Sequence, residues 1–263
     1  MSMLNEHCAV TRPQQGVAQL AIANAGKLNI LSTPVIRDLR SGIDVLTQEP
    51  GLRALVLTGS GEVSFIGGAD IAEMSRLDQT SGEAFIRGLR DLCEAVRRAQ
   101  VPVVARIQGW CLGGGLELAM ACDLRVAAPT AHFAMPEVKL GIPSVIHAAL
   151  MPRLIGVARA RWLILTGATI DAATALQWGL VDVVAGAAGL DAAVTDALAP
   201  ILACGPSVIA TQKALLRQWE ELPLTDAIEA TIPAFGRSFA SGEPQLYMQA
   251  FLDAKARRAN KPT

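Results

Sequence analysis

The sequence predicts an α/β core followed by a helical C-terminal region. Runs of apolar, often β-branched residues at 52–58 and 101–107 are typical of strands buried on both faces. Between them, residues 34–46 place their apolar side chains on one helical face. Four helical patterns then follow between about 188 and 259. Alternating strands and helices with a helical tail indicate this class.

Composition sets the broad limits on function. The 263 residues are 51% hydrophobic and 18% charged, which is typical of a globular protein with a sizeable core. A formal net charge of −1 gives no global attraction to nucleic acid or to an anionic membrane. The five cysteines form no C-x-x-C pair, so we expect reduced thiols and no metal site. Without a signal sequence or a long apolar run, we expect a cytoplasmic protein.

The first third of the chain contains a strand, a helix and a second strand. Residues 16–23 alternate as a strand does, and 52–58 is an apolar run. Pro34 suits the first turn of a helix that Ser32 or Thr33 would cap.

Residues 64–74 combine the end of a strand, a glycine turn at Gly67-Gly68 and the start of a helix. Asp70 is interpreted as the cap of that short helix. Small neighbours on both sides would let the Ala69 N–H group face a cleft. A longer helix is predicted over about 82–100.

The most informative stretch is Gly109–Asp123, into which strand 101–107 is expected to run directly. Gly113-Gly114-Gly115 open a buried helix, and glycine lets a ligand approach the backbone N–H groups at a helix start, where the helix dipole favours negative charge. The pattern therefore predicts an oxyanion-binding site. The alternative is a tight strand-to-helix joint in which the glycines only permit close packing.

Two carboxylates stand among apolar neighbours. Glu117 is the sole ionisable residue of its helix, and an unpaired buried charge costs several kcal/mol, so we expect a specific role. Its alternative role is a first-turn acid stabilised by the helix dipole. Glu137 follows Met135-Pro136 and cannot lie mid-helix; its alternative role is a surface acid at a helix N-terminus.

Beyond Gly141 the pattern is a loop that passes into a helix. His147 in this loop is interpreted as a packed or surface residue. Helices are predicted over 157–166 and 171–178, with a strand over 180–184.

The motifs GGAD at 67–70 and GGGLEL at 113–118, in this order, resemble the crotonase superfamily, also called the enoyl-CoA hydratase/isomerase family. The resemblance covers nearly the whole chain. It implies a crotonase-like spiral of ββα units over 1–200 that holds the acyl-CoA site. It also implies a helical C-terminal trimerisation region over 201–263.

The same resemblance implies how the site works. Members of the family stabilise the enolate of an acyl-CoA thioester with two backbone N–H groups, which correspond here to Ala69 and Gly114. Hydratases have glutamate at the positions of Glu117 and Glu137, which hold one water and transfer its proton. Two carboxyl groups in one dry site titrate as a coupled pair, so one can stay protonated near neutral pH.

The implied partners are an acyl-CoA or enoyl-CoA substrate and further copies of the chain, as a homotrimer or a dimer of trimers. No metal is implied, and no cofactor besides the coenzyme A of the substrate. The residue matching Phe235 lies near the CoA adenine of an adjacent subunit. The residues expected to bind substrate or CoA are Lys27, Leu28, Gly68, Asp70, Ile71, Gly113, Phe235 and Lys255.

Two departures from the family pattern stand out. Ile142–Ala149 replaces a glycine-rich loop of the hydratases, and Ala72 replaces a lysine. An isomerase or another enolate-stabilising enzyme of the family is the alternative function, since isomerases generally use only the second glutamate. A non-catalytic acyl-CoA- or RNA-binding member finds little support, because no basic stripe is present. Nucleotide-binding glycine spacings are also absent.

Overall fold

The computed structural model describes residues 1–259. The chain divides into two compact units, Met1–Leu198 and Ala199–Thr263. The assignment of residues 1–200 to an acyl-CoA-binding core and of 201–263 to assembly stays a prediction, and residues 260–263 lie outside the described part.

The strands of residues 1–259 form a seven-stranded sheet and a four-stranded sheet. In chain order they are β1 (Ser2–Asn5), β2 (Cys8–Gln14), β3 (Val17–Ile22), β4 (Ala54–Thr58), β5 (Ser64–Ile66), β6 (Val103–Ile107), β7 (Trp110–Leu112), β8 (Leu124–Ala127), β9 (His132–Ala134), β10 (Thr169–Asp171) and β11 (Val183–Val184). The larger sheet has the order β1-β2-β3-β4-β6-β8-β11 and is parallel from β3 onward. The smaller sheet has the order β10-β9-β7-β5, in which β9, β7 and β5 are parallel.

Helices alternate with these strands and then continue alone. They are α1 (Thr33–Thr47), α2 (Ile71–Met74), α3 (Gln79–Arg98), α4 (Gly114–Ala121), α5 (Met151–Ile155), α6 (Val157–Thr166), α7 (Ala172–Trp178), α8 (Leu190–Leu202), α9 (Pro206–Glu221), α10 (Leu224–Ser238) and α11 (Glu243–Ala259). Short 3₁₀ helices cover Glu137–Leu140, Ile146–Leu150 and Phe239–Ser241. The predicted α/β class with a helical C-terminal region is confirmed, as are the four helices beyond residue 188.

The first helix forms where the sequence predicts it. Its apolar side chains at Leu39, Ile43 and Leu46 are buried, as their spacing requires, and it packs against α3. Ser32, one of the two expected residues, is the N-cap residue, but its side chain makes no cap hydrogen bond. Thr33 donates its N–H and Oγ hydrogens to the carboxylate of Glu73 instead.

The prediction that strand 101–107 runs directly into the helix-opening glycines is wrong. β6 ends at Ile107, and Gln108 turns the chain because its buried amide donates to the carbonyls of Gly59 and Gly61 at 2.9 and 3.0 Å. Gly109 follows with φ +55°, where an added Cβ would overlap the Val63 backbone. The chain then forms β7 in the smaller sheet before it reaches Gly113.

The strand predicted over 180–184 is also shorter than expected. The N–H groups of Leu180 and Val181 bond to the Ala175 carbonyl of α7 at 2.8 and 3.3 Å, so they complete a helix end. Only Val183 and Val184 pair with β8. Within residues 1–259, no single helix has the length and apolarity to cross a bilayer. The bent pair α8 and α9 meets that test only when taken together, by length and composition.

Candidate active site

Three neighbouring strands of the smaller sheet end at the same edge. β5, β7 and β9 are parallel, so the segments that follow Ile66, Leu112 and Ala134 emerge side by side. These segments contain the two glycine motifs and Glu137. Ligands of α/β proteins commonly bind at the carboxyl ends of parallel strands, which makes this edge the candidate site.

A cavity of about 100 Å³ lies at this edge. Most of its lining is apolar, and α3 closes it with Phe85, Ile86 and Leu89. The predicted site residues that border it are Gly68, Ala69, Ile71, Gly113, Gly114, Glu117 and Glu137.

Leu31 fixes the direction of the Ala69 N–H group. Leu31 donates to the Gly68 carbonyl at 2.9 Å and accepts from the Asp70 N–H group at 3.0 Å. Successive N–H groups of an extended chain point in opposite directions, so the Ala69 N–H group points away from Leu31. Ala69 thereby borders the cavity with a backbone donor that the Leu31 bridge does not use.

Gly114 is the first residue of α4, where backbone N–H groups have no partner inside the helix. The N-cap residue is Gly113, which has no side chain to cap these groups. Gly113 has φ +50° and ψ −122°, a conformation that favours glycine. At Gly114, the positive end of the helix dipole and a backbone N–H group without a partner inside the helix therefore border the cavity.

Glu117 lies one turn further into α4 and is only 4% exposed. Its Oε1 atom accepts a hydrogen bond from the Ala148 N–H group at 2.9 Å. Burial raises the pKa of Glu117 to about 8, the Ala148 hydrogen bond opposes this rise, and the nearby Glu137 carboxylate adds to it. Glu117 is therefore mostly protonated at neutral pH.

Glu137 begins a 3₁₀ helix directly after Pro136 and is half-buried. Its Oε2 atom accepts a hydrogen bond from Ser144 Oγ at 2.8 Å. Its Oε1 atom lies so close to Gly113 that a Cβ there would overlap it, so any side chain at Gly113 would displace this carboxylate. Glycine is required at Gly115 for another reason, because an added Cβ would lie 2.6 Å from the Ile66 side chain. Close packing therefore accounts for Gly115, and approach of a ligand to the Gly114 N–H group stays a prediction.

The other predicted binding residues lie elsewhere. Asp70 accepts from the Glu73 N–H group at 3.0 Å, which confirms its interpretation as the cap of α2. Lys27 and Leu28 are exposed, and the Leu28 carbonyl accepts from the Gly67 N–H group at 2.7 Å. Phe235 and Lys255 are exposed residues of the second unit. Contact of these residues with CoA stays a prediction.

Sequence reasoning missed several residues around the two glutamates. Ser144, which holds Glu137, and Ala148, which holds Glu117, belong to the stretch that departs from the family pattern. His147 is buried, in agreement with its interpretation as a packed residue, but its partner was not predicted: its Nε2 atom lies 3.0 Å from Glu94 Oε1. The unusual sequence of 142–149 was the signal that could have pointed to them.

Comparisons with known proteins agree with this architecture. A sequence model described as "Enoyl-CoA hydratase/isomerase" matches residues 12–258. The chain is 32% identical over 252 residues to a crotonyl-CoA hydratase of Syntrophomonas wolfei, covering 95% of this chain and 96% of that protein. It is 31% identical over 240 residues to a short-chain-enoyl-CoA hydratase of Clostridium acetobutylicum, covering 91% and 92%.

The fold is also similar to solved structures. A crystal structure of an enoyl-CoA hydratase from Bacillus anthracis superposes with a TM-score of 0.89 at 28% identity, covering 94% of this chain and 96% of that one. The predicted crotonase-like fold is therefore confirmed. By the extent of the family match and the identity to these relatives, the chain belongs to the enoyl-CoA hydratase/isomerase family.

Proposed function

We propose that this protein is an enoyl-CoA hydratase, which adds water across the trans-2 double bond of an enoyl-CoA thioester. The hydratase names of relatives at 31–32% identity support this activity. The observation that carries the proposal is the shared border of one small cavity, where Glu117 and Glu137 stand with the backbone of Ala69 and Gly114.

The two backbone N–H groups supply the anion-stabilising half of the chemistry. We assign the thioester oxygen to a position between Ala69 and Gly114, where it gains negative charge as the enolate forms. Donors that are fixed before the reaction stabilise this charge without reorganising, and losing one typically costs about 10²–10³ in rate. The dipole of α4 acts in the same direction.

The carboxyl pair supplies the proton transfers. One carboxylate takes a proton from a bound water while the water oxygen forms a bond to C3, and the electron pair of the double bond moves onto the thioester as an enolate. The other carboxyl group then gives a proton to C2, and the carbonyl re-forms. Each transfer contributes about 10²–10⁴ to the rate. The raised pKa of Glu117 means that a proton is available in the site at neutral pH.

The size of the cavity favours a short acyl group. Its volume of about 100 Å³ is small beside the roughly 300–1,000 Å³ of common ligand pockets. We therefore propose crotonyl-CoA and similar short enoyl thioesters as the preferred substrates.

Turnover of crotonyl-CoA and of a long-chain trans-2-enoyl-CoA, followed by loss of the conjugated thioester absorbance, tests the proposal. We expect faster turnover of crotonyl-CoA. Glu117→Gln and Glu137→Gln should each lose most of the rate while melting cooperatively. Full turnover in Glu117→Gln together with loss in Glu137→Gln would instead support the isomerase-type chemistry, and no turnover of either substrate by the wild type would refute hydration.

The assembly and the location are further proposals. Exposed apolar side chains of the second unit support a homotrimer or a dimer of trimers, with Phe235 against the CoA adenine of a neighbouring copy. Lys27 and Lys255 are our candidates for the CoA phosphates, because both are exposed cations. We propose that the substrate's CoA is the only coenzyme. The cysteine pattern supports a cytoplasmic location.

A further inference from the structure

The turn Val145–Ala148 contains a strained residue. Ile146 has φ +40°, in the left-handed region that β-branched residues rarely adopt. The other non-glycine residues with positive φ in the described part of the chain are Asn24 and Asn29, and asparagine tolerates this region. Such strain persists only where surrounding contacts hold the backbone in place, and it clusters at functional sites.

Within the turn, the Ala148 N–H group donates to the Val145 carbonyl at 2.9 Å, and His147 joins the turn to α3. This histidine is buried, and its Nε2 atom lies 3.0 Å from Glu94 Oε1 on α3. Arg97 Nη1 also donates to Glu94 Oε1 at 2.8 Å, which fixes the acceptor. The buried Nδ1 atom of His147 has no hydrogen-bond partner among residues 1–259.

This arrangement defines the protonation state of the pair. A charged imidazole would bury an N–H group at Nδ1 without an acceptor, which is costly. Burial lowers the pKa of His147, and the Glu94 carboxylate only partly opposes this. His147 is therefore neutral and donates Nε2–H to Glu94. For Glu94, burial opposes ionisation, but the hydrogen bonds from Arg97 and His147 bring its pKa below the ordinary value.

The residue after His147 holds Glu117. Ala148 donates its N–H group to Glu117 Oε1 at 2.9 Å. This N–H group belongs to the peptide unit that joins His147, which is anchored to α3, to Ala148. We propose that His147, held by Glu94, is a positioning residue that keeps the strained 145–148 turn in place and so aims the Ala148 N–H group at Glu117. The catalytic part of this inference rests on the proposed hydratase function.

Replacing His147 by leucine removes the anchor while filling much of its volume. The strained turn then relaxes, and Glu117 loses its donor and its fixed direction. We expect kcat for crotonyl-CoA to fall by about 10²-fold. KM should change less than kcat, because Val145 is the one residue of the turn that lines the cavity. His147→Gln, whose amide can still donate to Glu94, should recover most of kcat.

The pH profile separates positioning from a general loss of packing. Glu117 faces the Ala148 N–H group, the Glu137 carboxylate and the Cys93 thiol, and His147 faces Glu94, Arg97 and Arg90. Of these, the Ala148 hydrogen bond favours the ionised form of Glu117. The limb of the kcat/KM profile that Glu117 sets should therefore move to higher pH in His147→Leu and stay in place in His147→Gln.

A matched control is available in the same unit, outside the cavity lining. His7 and Asp38 form a second buried histidine–carboxylate pair at 2.7 Å, remote from the cavity lining. His7→Leu should leave kcat and the pH limb unchanged. If His147→Leu does not fold, Glu94→Ala removes the same anchor from α3 and should move the limb in the same direction.

A readout without turnover keeps this inference separate from the proposed function. The infrared band of the protonated Glu117 carboxyl group, identified by its loss in Glu117→Gln, should titrate at higher pH in His147→Leu than in the wild type. A wild type without hydratase activity would refute the function while this titration still tests the anchor. An unchanged titration in folded His147→Leu and Glu94→Ala would overturn the inference.

Discussion

At the scale of single residues, the requirements of folding and of the proposed chemistry conflict at Glu117. A carboxylate would normally stay in water, yet every residue of α4 is buried. The protein resolves the conflict by binding a proton, since burial raises the pKa of Glu117 to about 8. Protonation makes the group compatible with the core, and a proton held at neutral pH is also what the proposed proton-transfer role requires.

This protonation predicts how stability depends on pH. A pKa raised from 4.5 to about 8 in the folded protein means that the Glu117 contribution is fully present below about pH 4.5. It is lost as pH rises to about 8, and it changes little above that value. Glu117→Gln is neutral throughout, so its stability relative to wild type should increase over this range by on the order of a few kcal/mol. Urea unfolding of both proteins at several pH values measures this, and parallel curves would contradict it.

Gly114 tests the backbone donor. A Cβ at Gly114 would lie 2.8 Å from Leu89 Cδ2, the end of a flexible side chain, so Gly114→Ala requires Leu89 to move. Gly114→Pro also deletes the N–H group, and proline is tolerated in the first turn of a helix. We expect Gly114→Ala to bind substrate less well and Gly114→Pro to lose a further factor of about 10² in turnover. If the two variants show equal turnover and melt near the wild-type temperature, Gly114 serves only in packing and its N–H group is not a donor to the substrate.

At the scale of secondary structure, the site depends on elements that the sequence hardly reveals. β5, β7, β9 and β10 have three residues each, which is too short to display an alternating pattern. The longer elements, such as α1 and β4, were predictable because their periodicity extends over enough residues. The prediction that strand 101–107 runs directly into the glycines failed for the same reason, because the three-residue strand β7 that lies between them shows no recognisable pattern.

The candidate site was predictable to a similar extent. Glu117 and the glycines stand out because they break the local apolar pattern. Ser144, His147 and Leu89 do not, because their roles depend on partners that are distant in sequence, such as Glu94 for His147 and Gly114 for Leu89. A sequence pattern identifies a residue that is anomalous where it stands, and only the folded chain identifies its partners.

The short helix α2 provides a test at this scale. Asp70 caps it, while Ile71 and Met74 of the same helix line the cavity. Asp70→Ala should lose about 1 kcal/mol of stability. We expect KM to rise more than kcat falls, because the wall of the cavity loosens while the carboxyl pair is untouched. Asp70→Asn, which can still cap, serves as the control, and identical KM and stability in the two variants would contradict the role of the cap.

At the scale of the whole molecule, the second unit leaves many apolar side chains exposed. Ile232 is 62% exposed, Phe235 71% and Phe251 69%. Phe235 contacts Phe239 edge-to-face at a centroid distance of 5.3 Å, yet most of its surface remains exposed. Exposed apolar patches of this kind mark interaction surfaces, which motivates the proposal of assembly.

We therefore expect light scattering at micromolar concentration to give the mass of a trimer or a hexamer. Ile232→Glu and Phe251→Glu should shift the mass towards the monomer, because each places a charge on the apolar surface. Val45→Glu, at an exposed apolar residue of α1, is the matched control and should leave the measured mass unchanged. A monomeric wild type would end the proposal.

The parallel pairing of Leu112 with Ala134 has a consequence for how new reactions could arise on this scaffold. That pairing, with the hydrogen bond from the Gly113 N–H group to the Ala134 carbonyl at 3.0 Å, aligns the two strand ends through main-chain atoms alone. The groups assigned to anion stabilisation are likewise main-chain atoms, whereas the proton-transfer groups are side chains. Replacing Glu117 or Glu137 would therefore change the proton-transfer side chains and leave the main-chain N–H groups in position. Under the proposed assignment, mutation of these side chains can explore new proton-transfer chemistry while the main-chain donors stay in place.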